Sequence, residues 1–191
     1  MKTLLINGSA RKKGFTTKMA NTLLDHLSGE KEVIQVYEKN VKPCKDCRYC
    51  WKHKACSIQD DMQEIYKKID ESDVIIFANP MYFHSVSGPL KTVIDRFQVY
   101  WAEVKRGDEK QGKQKIGAIL LCGGAPDFPK QFLGAEIVLE HVLDTVQARS
   151  IGEVTITNTD NVVFEKEIRV IENIRLLADS ITTEYLNNLP H

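Results

Sequence analysis

Short apolar runs alternate with stretches of helical spacing along most of the chain. Residues 3–7 (Thr-Leu-Leu-Ile-Asn) are too few for a helix and are predicted as a strand. Over 16–27, Met19, Ala20, Leu23, Leu24 and Leu27 fall on one face of a 3.6-residue period, which predicts a helix packed on a core. A second strand is predicted at 33–37. A cysteine-rich stretch follows, and Asp60-Asp61 then reads as the N-cap of a helix to about 69. Residues 73–79 hold Val74-Ile75-Ile76-Phe77-Ala78, the unbroken apolar run of a strand buried on both faces. Ser87 and Pro89 open a helix through about 99, and 115–122 form another buried strand. Helix 131–148, strand 151–157 and helix 165–186 complete the series, with 107–112 a polar excursion between elements. Five strands alternating with five helical segments predict an α/β fold, a doubly wound parallel sheet in a three-layer α/β/α arrangement.

Composition narrows the setting. With 191 residues and 42% hydrophobic positions, the chain can bury a proper core, and one domain over 1–191 is expected. The 26 basic and 26 acidic side chains balance, so no electrostatic footprint for nucleic acid or an anionic membrane is expected. No apolar run approaches the roughly 20 residues that span a bilayer. Leu4-Leu5-Ile6 is too short for the apolar core of a secretion signal. A cytoplasmic setting is therefore expected, where thiols stay reduced and disulfide frameworks are unlikely.

In a doubly wound sheet, ligands sit outside the carboxyl ends of the strands, so the residues just after each strand carry the candidate chemistry. After the first strand comes Asn7-Gly8-Ser9-Ala10-Arg11-Lys12-Lys13-Gly14-Phe15-Thr16-Thr17, opening a helix. Its glycines allow a tight turn, Ser9, Thr16 and Thr17 add hydroxyls, and Arg11 adds a bidentate cation, a combination suited to a phosphate. It matches neither the dinucleotide fingerprint nor a Walker loop, and a terminal monophosphate suits it better than a bridging pyrophosphate. An ordinary capped turn is the alternative. After the third strand, Asn79-Pro80-Met81-Tyr82-Phe83-His84-Ser85-Val86 puts aromatic and apolar residues where a polar loop is expected. A flat apolar ring would explain them, unless Tyr82 and Phe83 merely seal the sheet. Cys122-Gly123-Gly124-Ala125-Pro126 follows the fourth strand, and Gly123 and Gly124 would let backbone approach a ligand. Three such loops on one sheet edge point to flavin mononucleotide, FMN.

Four of the five cysteines fall in one stretch, Cys44-x2-Cys47-x2-Cys50-x5-Cys56. This spacing suits a 4Fe–4S cluster held by four thiolates. Structural zinc, a redox-active Cys-x-x-Cys pair, or free thiols without a ligand remain as alternatives. Lys42, Lys45, Arg48, Lys52 and Lys54 would offset the negative charge of such a cluster, although any solvated loop looks similar. The fifth thiol, Cys122, reads as a buried small apolar residue.

Taken in order, Asn7-Gly8-Ser9-x-Arg11 with Gly14-x-Thr16, the four cysteines, Asp60-Asp61-Met62, Pro80-x-Tyr82-Phe83, Lys91 and Asp95-Arg96 resemble the iron–sulfur flavoproteins. These belong to the flavodoxin-like group of NAD(P)H-dependent FMN reductases. The resemblance implies a flavodoxin-like fold in which Ser9, Arg11, Thr16 and Thr17 hold the FMN phosphate. It implies that Pro80, Met81, Tyr82, Phe83, Ser85 and Val86 flank the isoalloxazine, and that Cys44, Cys47, Cys50 and Cys56 ligate one 4Fe–4S cluster. It also implies an oxidoreductase with NAD(P)H as a candidate donor, working as a homodimer or higher homo-oligomer with a small-molecule or protein redox partner. Phe15 departs from the pattern, standing where a small polar residue is common, and the basic 50–56 loop has no clear counterpart. The reading that follows is electron transfer between a donor and an acceptor through FMN and the cluster. The alternatives are an FMN or quinone reductase whose cysteines are bystanders, and a flavin-binding redox or metal sensor. His84, in the loop assigned to the flavin, could donate to a substrate, but a lone His in such a place is more often structural.

Overall fold

The computed structural model describes residues 1–108 and 114–189. Its strands are β1 (Lys2–Asn7), β2 (Glu30–Gln35), β3 (Val74–Pro80), β4 (Lys115–Cys122) and β5 (Ala148–Ile156). They form one parallel sheet in the order β2-β1-β3-β4-β5. The chain steps outward from β1 to β2 and then returns across β1 to β3, so the switch point lies between β1 and β3. The predicted doubly wound architecture is the one found.

Alternation along the central strands divides the core in two. Leu4, Ile6, Ile75 and Phe77 enter the core under α2 (Met62–Glu71), α3 (Gly88–Arg96), α4 (Gln98–Arg106) and α5 (Leu133–Thr145). Leu5, Val74, Ile76 and Ala78 enter the opposite one, under α1 (Phe15–His26) and α6 (Ile168–Asn187). Both faces of β1 and β3 are therefore dry, which is why these strands read as unbroken apolar runs.

The edge strands differ from expectation. β2 starts at Glu30 and β5 at Ala148, both earlier than predicted, and β2 gives way to a 3₁₀ turn at Val36–Glu38. An edge strand carries polar residues such as Glu30, Lys31, Arg149 and Ser150 while its backbone still pairs, so an apolar-run criterion misses its start. The helix expected to run to 99 is two helices, broken at Phe97 (φ −69°, ψ 3°), giving six α-helices in place of five among the described residues. Asp61 occupies the N-cap of α2, but its side chain makes no capping bond. Gly107 ends α4 at φ 68°, and positions 109–112 of the expected polar excursion lie outside the described residues. Among the described residues, no helix is long and apolar enough to cross a membrane.

Candidate functional site

Asn7 ends β1 and organises the turn after it. Its side-chain oxygen accepts the Ser9 N–H (2.9 Å), and its amide donates to the Thr17 hydroxyl (3.2 Å). Thr17 donates in turn to the Arg11 carbonyl (3.0 Å), while the Ser9 hydroxyl accepts the Arg11 N–H (3.1 Å). α1 then starts behind Gly14 with no side chain capping it. An uncapped helix start leaves its first N–H groups and positive end available to an anion. Ser9, Thr17 and exposed Arg11 thus share one turn in front of a helix N-terminus. Thr16 is turned inward, its hydroxyl 2.8 Å from Cys122 Sγ. Burial pushes the Cys122 thiol pKa up, so this cysteine stays neutral, as expected of a core residue. Phe15 packs edge-on against Phe164 (5.8 Å between ring centroids), on the core beneath α1 and α6.

The β1 and β3 turns meet at one contact. A Cβ on Gly8 would lie 2.3 Å from Asn79 Oδ1 and 3.0 Å from Leu90, so only glycine fits. Asn79, fully buried, accepts the Ser87 N–H (3.1 Å) and donates to the Pro80 carbonyl (2.7 Å). Both asparagines stand in the loops quoted from the sequence, but the spacing assigns neither of them a role. Their shared signal is an Asn closing each of two apolar strands, at the switch point.

Beyond Pro80, the Met81 N–H donates to the Cys122 carbonyl (2.8 Å), joining the β3 and β4 loops. Tyr82 and Ser85 exchange both backbone bonds (3.0 and 2.9 Å), and the two residues between them, Phe83 and His84, have φ of 47° and 61°. Two consecutive non-glycine residues in the left-handed region mark a strained turn. It is braced from behind, where the His84 ring meets Phe128 and a Cβ on Gly134 would lie 2.2 Å from the His84 carbonyl. His84 is thus structural in its contacts. Phe83 is 101% exposed, so it does not seal the sheet, and Tyr82 is exposed beside it. Val86 is buried beneath them. Tyr37, on the 3₁₀ turn after β2, reaches the same edge. Burial and the neighbouring Tyr82 push its phenol pKa up, and sequence reasoning had not marked it. Gly123 and Gly124 have protein reasons to be glycine: a Cβ would lie 2.5 Å from Gln131 Nε2 and 2.5 Å from Asp160 Oδ2 respectively.

The cysteine loop lies elsewhere. Cys44, Cys47, Cys50 and Cys56 are free thiols, and all four line one small pocket with room for about one water. No residue of the three strand-end loops lines it. Four thiols on one pocket are the donor set of a 4Fe–4S cluster, so the chemistry fits. They are not drawn into a ligand cage: among the described residues, no three His, Cys, Asp or Glu side chains stand where they could hold a metal ion. A hydrogen bond with Ser57 (3.3 Å) lowers the Cys47 thiol pKa. Of the five cations within the loop, Lys54 pairs with Asp108 (3.5 Å), but the buried cations that grip the loop come from α3 and α4. Arg96, 1% exposed, pairs with Asp60 (2.8 Å) and donates to the Lys42 carbonyl (2.8 Å) and the Ile58 carbonyl (3.2 Å). Arg106 donates to the Cys50 carbonyl and pairs with Asp108. Trp51, in the loop's one 3₁₀ turn (Tyr49–Trp51), rests near Trp101 of α4 (6.2 Å).

A parallel sheet in this order, with a hydroxyl-rich, uncapped turn at its switch point, defines a flavodoxin-like α/β protein. The chain belongs to the NADPH-dependent FMN reductase family, whose model matches residues 1–161. That membership makes it an FMN-type oxidoreductase. It is 32% identical over 140 residues to an iron-sulfur flavoprotein of Archaeoglobus fulgidus, covering 72% of this chain and 67% of that protein. It is 39% identical over 99 residues to an iron-sulfur flavoprotein of Methanocaldococcus jannaschii, covering 50% of this chain and 51% of that one. The matches to such curated relatives span about half to two thirds of their length. In fold, the chain superposes on the NAD(P)H:quinone oxidoreductase from Methanothermobacter marburgensis with a TM-score of 0.73 at 14% identity, covering 100% of this chain and 98% of that one.

Proposed function

We propose that the protein carries electrons between a reduced donor and an acceptor through FMN at the strand-end loops and a 4Fe–4S cluster on the cysteine loop. Ser9, Arg11, Thr17 and the start of α1 hold the phosphate, and the Pro80–Val86 turn flanks the ring. Thr16 contributes its backbone position, since its hydroxyl is engaged with Cys122. Cys44, Cys47, Cys50 and Cys56 are the cluster ligands. FMN supplies the conversion between two-electron and one-electron chemistry, and the cluster supplies single-electron storage. The chain's own part is positioning: Asn7 and Asn79 fix the flavin loops, and the two arginines fix the cysteine loop. The carrying observation is that one loop brings four free thiols to one pocket, apart from the flavin edge. Because the two sites share no lining residue within a chain, we place the transfer between two copies of it. Sedimentation of the loaded protein at more than the monomer mass is then required.

The deciding experiment is an absorbance spectrum of anaerobically purified protein, with iron, sulfide and flavin assayed on the same sample. Flavin bands over a broad brown absorbance, with about four irons and four sulfides per chain, support this reading. Flavin alone after attempted reconstitution moves it to the second one: an NAD(P)H-dependent FMN or quinone reductase whose cysteines are bystanders.

A further inference from the structure

We propose that Arg96 is the positioning residue of the cysteine loop, a buried clip that joins the loop's two stems and faces its guanidinium onto the four-thiol pocket. This rests on the reading of that loop as a cluster site. Arginine is rarely this buried without a partner, and the partners here are specific. Nη1 bonds Asp60 Oδ2 and the Lys42 carbonyl, both at 2.8 Å. Nη2 bonds Asp60 Oδ1 (3.3 Å) and the Ile58 carbonyl (3.2 Å). Asp60 Oδ2 also accepts the Lys42 N–H (2.9 Å), so residue 42 is held by both its N–H and its carbonyl. Residues 42 and 58 bracket all four cysteines. One ion pair therefore closes the loop at its base.

Stability alone is a poor reason for such a pair, because a buried ion pair is often matched or bettered by apolar residues of the same shape. A placement role accounts for it better. Between its stems, the loop has only the 3₁₀ turn Tyr49–Trp51, and Asp46 and Arg48 sit at φ of 46° and 58°. No sheet or long helix orders the cysteines, so the clip and Arg106 must. The chemistry also demands arginine: two nitrogens of a planar fork each serve a carbonyl and a carboxylate oxygen at once, which an ammonium cannot copy. One donor is left over. Arg96 Nε is buried with no hydrogen-bond partner, and Arg96 lines the pocket together with all four cysteines. That N–H and the guanidinium charge are suited to a thiolate sulfur, and hydrogen bonds to sulfur help set the potential of an iron–sulfur centre.

The test is hydrogen exchange of the iron-free, FMN-loaded protein as wild type, Arg96→Lys and Asp60→Asn. Arg96→Lys is expected to speed exchange over 42–58 by about tenfold or more, with β1, β3 and α1 unchanged and FMN retained. Asp60→Asn keeps the guanidinium and the shape, and is expected to give a smaller rise over the same segment. It also serves as the readout if Arg96→Lys does not fold. After reconstitution, the visible circular dichroism of the iron–sulfur chromophore should differ between Arg96→Lys and wild type, and an unchanged spectrum overturns the placement role. Unchanged exchange over 42–58, or a rise spread evenly over the chain, overturns the clip. Because the exchange arm contains no iron, a wild type that takes up no iron or sulfide overturns the cluster reading while the clip is still judged.

Discussion

Asn7 and Asn79 close strands that the rest of the sheet already holds in place, whereas Cys44, Cys47, Cys50 and Cys56 hang from a segment with one short 3₁₀ turn. At the flavin edge, two buried amides and one glycine suffice to lock neighbouring loops, because β1 is paired along its whole length with β2 and β3 along its whole length with β4. At the cysteine loop nothing comparable is available, and side chains from distant helices do the work: Arg96 at the base, and Arg106 and Trp101 along the side. Local polar caps are enough where a sheet supplies order. Where the chain leaves the sheet, order comes from charged groups far away in sequence.

The sharpest way to break this comparison is to remove a thiol. Cys47→Ser is expected to take iron from about four per chain to none after reconstitution, while FMN occupancy stays as in the wild type. Loss of flavin in the same variant would show that the two regions are one site. Asn79→Ala comes next in size. It removes two buried hydrogen bonds and opens a gap beside Gly8, so unfolding should be easier by about 2–4 kcal/mol, read from a urea midpoint. FMN affinity should fall with it, and uptake of iron should not. An Asn79→Ala protein that loses iron as readily as flavin would contradict the independence of the two regions.

The same contrast explains what was legible in the sequence. Val74–Ala78 announced its strand because both faces are dry, and the cysteine spacing announced a ligand loop because thiols so close together are rare. The start of β2 is hidden because Glu30 and Lys31 are exposed and Glu32 is paired with Lys2 and Lys68, while the backbone of all three pairs with β1. The break at Phe97 was hidden because an apolar residue continues the helical pattern across it. Asp60 looked like a helix cap and is one only in passing: its carboxylate accepts the Met62 N–H (3.1 Å) but is committed mainly to Arg96. Nothing local in the sequence joins those two residues. Long-range polar pairs are the part of a site that periodicity and spacing do not encode, and the cysteine loop is built from them.

Arg11→Ala separates binding from folding at the flavin edge. Arg11 is exposed, so stability should not change, while FMN should bind about 10- to 100-fold more weakly if the guanidinium meets the phosphate. Equal affinity, measured by flavin fluorescence, would remove Arg11 from the phosphate site. Acid should distinguish the regions in the other direction. Burial pushes the Asp60 carboxyl pKa up, but bonds from Arg96 and the N–H groups of Lys42 and Met62 outweigh it and hold the pKa below the usual aspartate value. A depressed value means that the carboxylate stabilises the fold above about pH 4 and loses that contribution as pH falls through its folded value. Exchange over 42–58 should therefore rise below about pH 4 before exchange at β1 does. A simultaneous rise in both would mean that the ion pair does not govern the loop.

Phe83→Ala is expected to have the smallest effect, and a simple one. The ring is fully exposed and has no protein packing to lose, so the urea midpoint should not move. The backbone at φ 47° is the more informative feature, because a left-handed residue in a turn braced by Phe128 and Gly134 is held there by its surroundings. Such a residue presents its ring outward whether or not a ligand is bound. If that ring lies against the isoalloxazine, truncation should weaken FMN by about 2- to 10-fold, the usual worth of an aromatic contact. Iron content should stay as in the wild type. An unchanged FMN affinity would assign the ring to something other than the flavin, and Tyr82 and Tyr37, which stand together at the same edge, would then be the aromatic groups left to cover it.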